Sequence, residues 1–294
     1  MQEKFTGIMP ALITPFTEDG RDIDAAALEA LIEMNIRKGV SGFYVGGSTG
    51  EAFLMSMEER KQFLELVVEQ VNHRVKVIAH VGAISTSQAM ELARHAGHCG
   101  ADAVSAVPPF YYSFSGKERL AYYQDIISST SLPMFVYHVP ALTGVSMDSR
   151  ELDSLLQLPG IAGMKFTAYD SYHMQRLIER YGNLTIINGH DELFLSNLSI
   201  GCKCAVGSTF NFMADIFISM AQAYEKGDTE QARALQARAN AVIDVCIELG
   251  VFRAVKGALE FMGIGTGTCR KPFLPLNDKE KEHLRGVLVK NKIL

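Results

Sequence analysis

The segment GMKFT places Lys165 inside an apolar run, although an ammonium group is costly to remove from water. A lysine at such a position has three possible uses. It can extend to solvent along its alkyl stem, pair with a buried carboxylate, or act as a nucleophile that forms an imine with a carbonyl carbon. Removal from water favours the neutral amine, which imine formation at neutral pH requires. The sequence favours the nucleophile and leaves the other two uses open.

Tyr137, in the apolar run that precedes the run of Lys165, is a candidate proton carrier. Imine chemistry needs a group that moves a proton, and a phenol close to the lysine can do so. Consecutive strands of a parallel barrel are neighbours, so the two side chains would lie side by side. The alternative interpretation of Tyr137 is a core tyrosine whose hydroxyl is hydrogen-bonded and takes no part in chemistry.

The segment GGSTGE, residues 46–51, predicts an anion site. Its glycines allow the backbone to approach a ligand closely. Ser48 and Thr49 precede the predicted second helix, whose amino-terminal N–H groups and dipole attract a carboxylate. The segment lacks the Lys-Ser/Thr ending of a phosphate-binding loop, so a nucleotide is the less favoured ligand.

Other polar residues near the ends of the apolar runs admit a metal site as an alternative. The candidate ligands are His80, His138, His190, Asp191 and Glu192. A metal-dependent hydrolase could use such a set, but the chain has no H-x-H or H-E-x-x-H spacing. We therefore expect no catalytic metal. Single Ser, Thr or Asp residues at strand ends are about equally well explained by the passage of a strand into a polar loop.

The elements that must position these residues are short apolar, β-branched or Gly-rich runs. Eight such runs are strand candidates, at residues 7–16, 42–47, 75–82, 103–110, 134–140, 161–167, 184–188 and 204–210. Amphipathic stretches of helical period lie between them. Two helix starts are marked by the spacing of a capping box, Ser56 with Glu59 and Asp148 with Glu151.

Strands that alternate with helices pair in parallel through right-handed crossovers, and eight such units predict an α/β fold, the (β/α)8 TIM barrel. An open doubly wound sheet is the alternative, but no G-x-G-x-x-G follows the first run. After residue 215 the pattern is helical, with stretches near 215–226, 230–249, 253–262 and 278–289. We predict a catalytic barrel domain over residues 1–226 and a three-helix carboxyl-terminal extension over residues 227–294.

Composition and charge narrow the range of partners. The 294 residues are 48% hydrophobic and 21% charged, with a net charge of −5 and no basic run, which argues against nucleic acid and anionic membranes. No apolar stretch reaches the roughly 18 residues of a membrane span. The amino terminus is interrupted by Pro10 and Pro15 and does not look like a signal peptide. Five cysteines without a C-x-x-C pair indicate a reducing cytoplasm.

Several motifs in sequence order resemble one family. The ALITPF strand, GSTGE, PPFYY, the Y-x-x-P of the fifth run and the G-x-K of the sixth run are similar to the pyruvate-dependent class I aldolases of the dihydrodipicolinate synthase and N-acetylneuraminate lyase superfamily. The match covers almost the whole chain. The resemblance implies an eight-fold barrel with a three-helix extension, assembled as a tetramer of two tight dimers, with small-molecule substrates and no cofactor.

Four positions favour the sialic acid-cleaving members of that superfamily. The synthases carry an arginine after the proline of the fifth run, whereas Ala141 and Leu142 follow Pro140 here. Phe166 and Thr167 follow the lysine, where synthases usually have Glu-Ala or Glu-Ser. GHDE at 189–192 and GSTFN at 207–211 also resemble the polyol-binding loops of the lyases. His190 departs from the tyrosine of some lyases, which bears on the preference among sialic acid variants.

The resemblance also implies residue roles. Lys165 would form the imine, Tyr137 would move the proton of the substrate 4-hydroxyl, and Ser48 and Thr49 would hold the carboxylate. Ser48 would join a proton relay with Tyr137 and with Tyr111 from a neighbouring subunit. The hydroxyls of the sugar chain would bind to Thr167, Gly189, Asp191, Glu192 and Ser208.

The expected activity is reversible aldol cleavage of N-acetylneuraminate to N-acetylmannosamine and pyruvate. One alternative is another pyruvate aldolase of the same fold, either one acting on 2-keto-3-deoxy sugar acids or a dihydrodipicolinate synthase. A second alternative is a non-catalytic protein that binds pyruvate or sialic acid. Lys165 and Tyr137 together argue against a pure binder, which has little use for either side chain.

Overall fold

The computed structural model describes residues 5–294, in which eight short strands alternate with helices. The first four residues of the predicted barrel domain lie outside the described residues. The strands are β1 (Gly7–Pro10), β2 (Gly42–Val45), β3 (Lys76–His80), β4 (Ala103–Ala106), β5 (Met134–His138), β6 (Ile161–Phe166), β7 (Thr185–Asn188) and β8 (Cys204–Gly207).

Twelve α-helices are found in residues 5–294. They are α1 (Ala25–Lys38), α2 (Met57–Val71), α3 (Thr86–Cys99), α4 (Gly116–Ser128), α5 (Pro140–Thr143), α6 (Ser149–Leu156), α7 (Ser171–Arg180), α8 (Phe194–Ser199), α9 (Phe210–Glu225), α10 (Thr229–Leu249), α11 (Val251–Phe261) and α12 (Asp278–Lys290). Short 3-10 turns occupy Ala52–Leu54 and Asp191–Leu193.

The strands form one parallel sheet in the order β1-β8-β7-β6-β5-β4-β3-β2, and the sheet closes on itself. At the closing seam the Leu12 N–H donates to the Tyr44 carbonyl oxygen at 2.9 Å, and Ala11 bridges Tyr44 in parallel. The prediction of a TIM barrel is confirmed, and the open doubly wound sheet was wrong.

Side chains that alternate along the strands fill two separate layers. Inside the barrel, a cluster of buried residues includes Met9, Tyr44, Ile78, Phe135 and Ile187. The other face of the same strands packs against the surrounding helices in a larger cluster. This alternation is expected for a closed barrel, and it directs Tyr137 and its neighbour Lys165 to the inside.

The predicted first strand is too long. β1 ends at Pro10, although backbone bonds of Ala11 and Leu12 continue the seam. The Ile13 N–H then donates to the Asn211 side chain at 3.2 Å instead of to a strand. The apolar run in the sequence therefore extends beyond the residue at which the strand ends.

One of the two predicted capping boxes is complete. Ser56 and Glu59 cap α2 reciprocally. At α6, Asp148 accepts from the N–H groups of Arg150 and Glu151, but no reciprocal bond from the Glu151 side chain is found in the described chain. That carboxylate binds Arg119 of α4 in a bidentate pair, so the prediction at α6 was half correct.

The carboxyl-terminal helices α10, α11 and α12 agree with the predicted helical stretches, and α10 packs along α9 of the barrel. Gln236 of α10 accepts from the Leu195 N–H and donates to the Asp191 carbonyl, which joins the extension to the loop after β7. A domain boundary at residue 226 stays a prediction. Within residues 5–294, none of the helices combines the length and the apolar character needed to span a bilayer.

Candidate active site

A cavity of about 700 Å³ opens at the carboxyl ends of the barrel strands. Its lining includes seven of the predicted site residues, namely Ser48, Thr49, Tyr137, Lys165, Thr167, Gly189 and Ser208. These residues come from the ends of β2, β5, β6, β7 and β8. The barrel therefore brings together side chains that are up to 160 positions apart in the sequence.

Lys165 lies on β6 at the floor of the cavity and is only 4% exposed. Its Nζ lies 3.7 Å from the ring centroid of Tyr137 and 5.3 Å from that of Tyr44. It donates to Thr167 Oγ1 at 3.3 Å. No carboxylate oxygen of the described chain lies within ion-pair distance of it. A solvent-seeking lysine and a lysine paired with a carboxylate are thus both wrong interpretations.

Tyr137 is the register partner of Lys165 on the neighbouring strand, so the predicted adjacency is confirmed. Tyr44, which the sequence did not single out, completes the aromatic wall. Its ring meets that of Tyr137 edge-to-face at 5.8 Å, and its hydroxyl donates to Ser105 Oγ at 3.0 Å. Alternation along β2 was the signal that could have placed Tyr44 inside the barrel.

The predicted anion site is formed by a turn and not by a helix. Helix α2 begins at Met57, and the Ser56 hydroxyl caps its first turn. Ser48 and Thr49 instead lie in the turn directly after β2, so their predicted place at the start of helix two was wrong, and the binding of a carboxylate to them stays a prediction. The backbone N–H groups of Ser48 and Thr49 donate to no group in residues 5–294, and both residues line the cavity. The Thr49 and Ser208 hydroxyls lie 2.8 Å apart.

Asp191 is buried beneath the cavity and does not line it. Its Oδ2 accepts from the N–H and the hydroxyl of Thr209 at 2.9 and 2.6 Å. Burial raises the pKa of Asp191 to about 6, although both of these hydrogen bonds oppose the shift. One carboxylate oxygen thus fixes the loop after β8, and a contact with substrate through the other stays a prediction.

Glu192, Tyr169 and His190 form a cluster at the rim of the cavity. Glu192 Oε1 accepts from the Tyr169 hydroxyl at 2.6 Å and contacts His190 Nδ1 at 3.1 Å. The rings of Tyr169 and His190 stack with centroids 4.1 Å apart. Burial raises the pKa of Glu192, but these hydrogen bonds outweigh it and lower the pKa to about 2. The hydrogen bond between Tyr169 and Glu192 raises the pKa of Tyr169 to about 12. Sequence reasoning missed Tyr169.

Gly189 shows why a glycine follows β7. A Cβ at this position would lie 1.8 Å from Thr167 Oγ1 and 3.0 Å from the Phe166 carbonyl oxygen. Only glycine therefore allows the chain to pass close enough for Thr167 and Gly189 to line the same wall of the cavity.

Tyr111 is not part of the cavity of its own chain. It is 83% exposed, lies in the loop after β4 and has a left-handed φ of 81°. Its ring contacts only that of Tyr112, at 5.1 Å, among the described aromatic residues. A role for Tyr111 in a neighbouring subunit stays a prediction.

The candidate metal ligands do not converge. Among the described residues, the group of potential ligand atoms that lies within 4.8 Å is Glu65, His95 and Cys99, none of which belongs to the predicted set. His80 accepts from the Val107 N–H and contacts the Gly46 carbonyl, and burial lowers its pKa to about 3. His80 is therefore a neutral core histidine.

The junction between α10 and α11 forms a side of the cavity that sequence reasoning missed. Residues 247–253 all line it, together with Phe273. Gly250 separates the two helices with φ 86° and ψ 111°. A glycine between two helical patterns was the available signal, but nothing in the local pattern indicates which part of the barrel the junction meets.

Residues 4–291 match the Dihydrodipicolinate synthetase family. The N-acetylneuraminate lyase of Escherichia coli strain SMS-3-5 is 42% identical over 289 residues, which are 98% of this chain and 97% of that lyase. A solved structure of CdNal from Clostridium difficile in complex with mannosamine is similar with a TM-score of 0.95 and 34% identity, covering 98% of this chain and all of the other. A catalytic lysine mutant of the Ruminococcus gnavus sialic acid aldolase is similar with a TM-score of 0.94 and 27% identity, covering 99% of each chain.

Proposed function

The chain belongs to the dihydrodipicolinate synthetase family, and on this basis we propose that it is a class I aldolase that reversibly cleaves N-acetylneuraminate to N-acetylmannosamine and pyruvate. The observation that carries the chemistry is Lys165, a buried amine that borders a large cavity, with aromatic rings beside it and no ion-pairing carboxylate in residues 5–294. The 42% identity to a lyase over nearly the full length supports the choice of substrate.

The reaction begins at the keto carbon of the open-chain sugar acid. Lys165 Nζ attacks C2, and loss of water leaves a protonated imine. No carboxylate oxygen of residues 5–294 is within ion-pair distance of Nζ, which lies against the rings of Tyr137 and Tyr44 and borders the cavity. The positive imine nitrogen then withdraws electrons from the C3–C4 bond, which is the function a metal ion would otherwise serve.

Tyr137 takes the proton of the 4-hydroxyl, and the electrons of the C3–C4 bond move into the imine. The bond breaks, C4 becomes the aldehyde of N-acetylmannosamine, and the pyruvate part remains as an enamine on Lys165. Protonation of C3 and hydrolysis of the imine release pyruvate and the free amine. Tyr137 suits this part because it is the register partner of Lys165.

The carboxylate of the substrate binds to the turn that carries Ser48 and Thr49, since both residues line the cavity and their backbone N–H groups donate to no group in residues 5–294. Thr167, Gly189, Asp191, Glu192 and Ser208 receive the hydroxyls of the sugar chain. This two-ended binding holds C2 against the lysine, and such positioning can contribute much of the rate increase.

The working protein is a cytoplasmic homotetramer that takes part in sialic acid degradation and uses no cofactor. The exposed Tyr111, which contacts only Tyr112 among the described rings, supports a role across a subunit interface, where it joins the relay of Ser48 and Tyr137. The five cysteines are all unpaired in the described chain, in agreement with a reducing compartment.

The experiment is to incubate the purified protein with N-acetylneuraminate and measure pyruvate, with Lys165→Ala as the control. We expect release by the wild type and none by the variant. Borohydride reduction in the presence of pyruvate should add a pyruvyl-derived group to the peptide that holds Lys165. An unmodified lysine during turnover would disprove the imine mechanism, and faster release from a 2-keto-3-deoxy sugar acid would change the substrate assignment.

A further inference from the structure

Glu51 is a buried charged residue at the end of the turn that carries Ser48 and Thr49. Its side chain is fully buried, it does not line the main cavity, and it has a left-handed φ of 59°. L-residues other than asparagine and aspartate rarely adopt that conformation, because Cβ approaches the carbonyl oxygen. The Glu51 N–H closes the turn by donating to the Ser48 carbonyl at 3.1 Å.

The partners of the Glu51 carboxylate belong to the carboxyl-terminal part of the chain. Oε1 lies 2.9 Å from Nζ of Lys256 on α11, and Oε2 accepts from the Arg270 N–H at 2.7 Å. Lys256 is 3% exposed and also donates to the Thr268 carbonyl at 3.1 Å. The other side of the turn is held by Thr14, whose hydroxyl donates to the Gly50 carbonyl at 2.6 Å.

A buried ion pair of this kind contributes little to the stability of the fold. Both charges have left water, and a well-packed apolar pair of similar volume is often at least as stable. Burial indeed lowers the pKa of Lys256, although the Glu51 charge opposes that shift. What the pair does supply is a fixed position, because opposite charges in a dry site tolerate little displacement.

We propose that Glu51 is a positioning residue that couples helix α11, through Lys256 and the Arg270 amide, to the turn that presents Ser48 and Thr49 to the substrate carboxylate. The inference rests on the proposed function, since it assigns the turn to a carboxylate. In this arrangement the extension is part of the active site, although neither Glu51 nor Lys256 touches the substrate.

The test compares two ketones that form the same imine, pyruvate with a carboxylate and acetone without one. The measured quantity is the ratio of the rates at which borohydride traps each ketone on Lys165. We expect the wild type to favour pyruvate, and the ratio to fall roughly tenfold or more in Glu51→Gln and in Lys256→Met, since small misplacements of binding groups have effects of this size. Trapping of acetone should change little.

The double variant Glu51→Gln/Lys256→Met leaves no buried charge unpaired, so it tests the proposal even where a single variant fails to fold. Its ratio should be no lower than that of either single variant, because the two residues act as one unit. Glu151→Gln is the matched control, since it breaks the half-buried Arg119–Glu151 pair at α4 and α6, away from the cavity. Its ratio should equal that of the wild type.

Two results separate the possible failures. A wild type that is not labelled by pyruvate would refute the proposed function together with the coupling. A wild type that favours pyruvate, with the preference retained in the folded double variant or lost equally in Glu151→Gln, would refute the coupling alone.

Discussion

At the scale of single residues, the surroundings of Lys165 decide its chemistry. The Lys165 amine lies against the rings of Tyr44 and Tyr137, and no carboxylate oxygen of residues 5–294 forms an ion pair with it. The acidic residues of the site are engaged elsewhere, Asp191 with Thr209 and Glu192 with Tyr169. Neither carboxylate forms an ion pair with Lys165 in the described chain.

The first prediction concerns Tyr137→Phe. Removal of the phenol takes away the proton carrier and leaves the aromatic contact with Lys165, so the imine should still form. We expect kcat for cleavage of N-acetylneuraminate to fall by about 10²–10⁴-fold, as for the loss of a general acid-base group. Trapping of pyruvate by borohydride should continue at a similar level. Loss of trapping together with turnover would mean that Tyr137 positions the lysine and moves no proton.

The second prediction concerns the pH dependence of stability at Asp191. Its pKa rises from 3.8 to about 6 on folding because of burial, so the folded chain holds this proton more tightly than the unfolded chain. The stabilising contribution is complete below about pH 4 and is lost as the pH rises through about 6. Relative to Asp191→Asn, the wild type should therefore lose about 3 kcal/mol of unfolding free energy over that range. Urea unfolding of both proteins at a series of pH values measures this loss. An unfolding free energy that changes equally with pH in the wild type and in Asp191→Asn would contradict the prediction.

At the scale of elements, the sequence patterns predicted those features that depend on residues close together in the chain. The eight strands, the capping box of α2 and the helices of the extension follow from periodicity and spacing. The turn of Ser48 and Thr49 was assigned to the start of α2, because the short 3-10 turn at Ala52–Leu54 that separates the two has no periodic pattern in the sequence. The contact of the α10–α11 junction with the cavity depends on how distant elements pack, which no local pattern contains.

The third prediction tests that junction. Gly250→Ala places a Cβ at a backbone conformation of φ 86° and ψ 111°, which should cost about 1–3 kcal/mol of stability. Because residues 247–253 line the cavity, KM for N-acetylneuraminate should rise as well. Gly265→Ala is the control, since no atom lies within 4 Å of the added Cβ and its φ is outside the left-handed region. Equal thermal unfolding of the two variants would contradict the assignment of strain to Gly250.

At the scale of the whole molecule, one chain brings Lys165, the turn of Ser48 and Thr49, and Ser208 to one cavity, but it turns Tyr111 outward. The sequence predicted this fold and seven of the residues that line the cavity, because several strand ends carry polar residues of distinct chemical types. It could not predict how Glu51 reaches Lys256, since those residues are 205 positions apart and meet only after the extension has packed.

The fourth prediction is complementation between subunits. Lys165→Ala should be inactive, and Tyr111→Phe should be strongly impaired because its neighbour lacks the relay hydroxyl. Mixed tetramers formed by co-expression should regain activity, since an intact Lys165 in one chain then meets an intact Tyr111 from the other. Native mass spectrometry verifies mixing, and pyruvate release measures the recovery. Mixed assemblies without recovery would show that each site uses only its own chain.

The seam between β1 and β8 bears on how the protein is made. β1 leaves the ribosome before the other seven strands, but one of its two neighbours, β8, begins only at Cys204. Until then, a nascent chain has open strand edges at both ends of a growing sheet, and such edges favour association with other chains. We expect ribosome-bound chains that stop before Cys204 to need a chaperone, and those that include α9 to be protected, because the ring has closed.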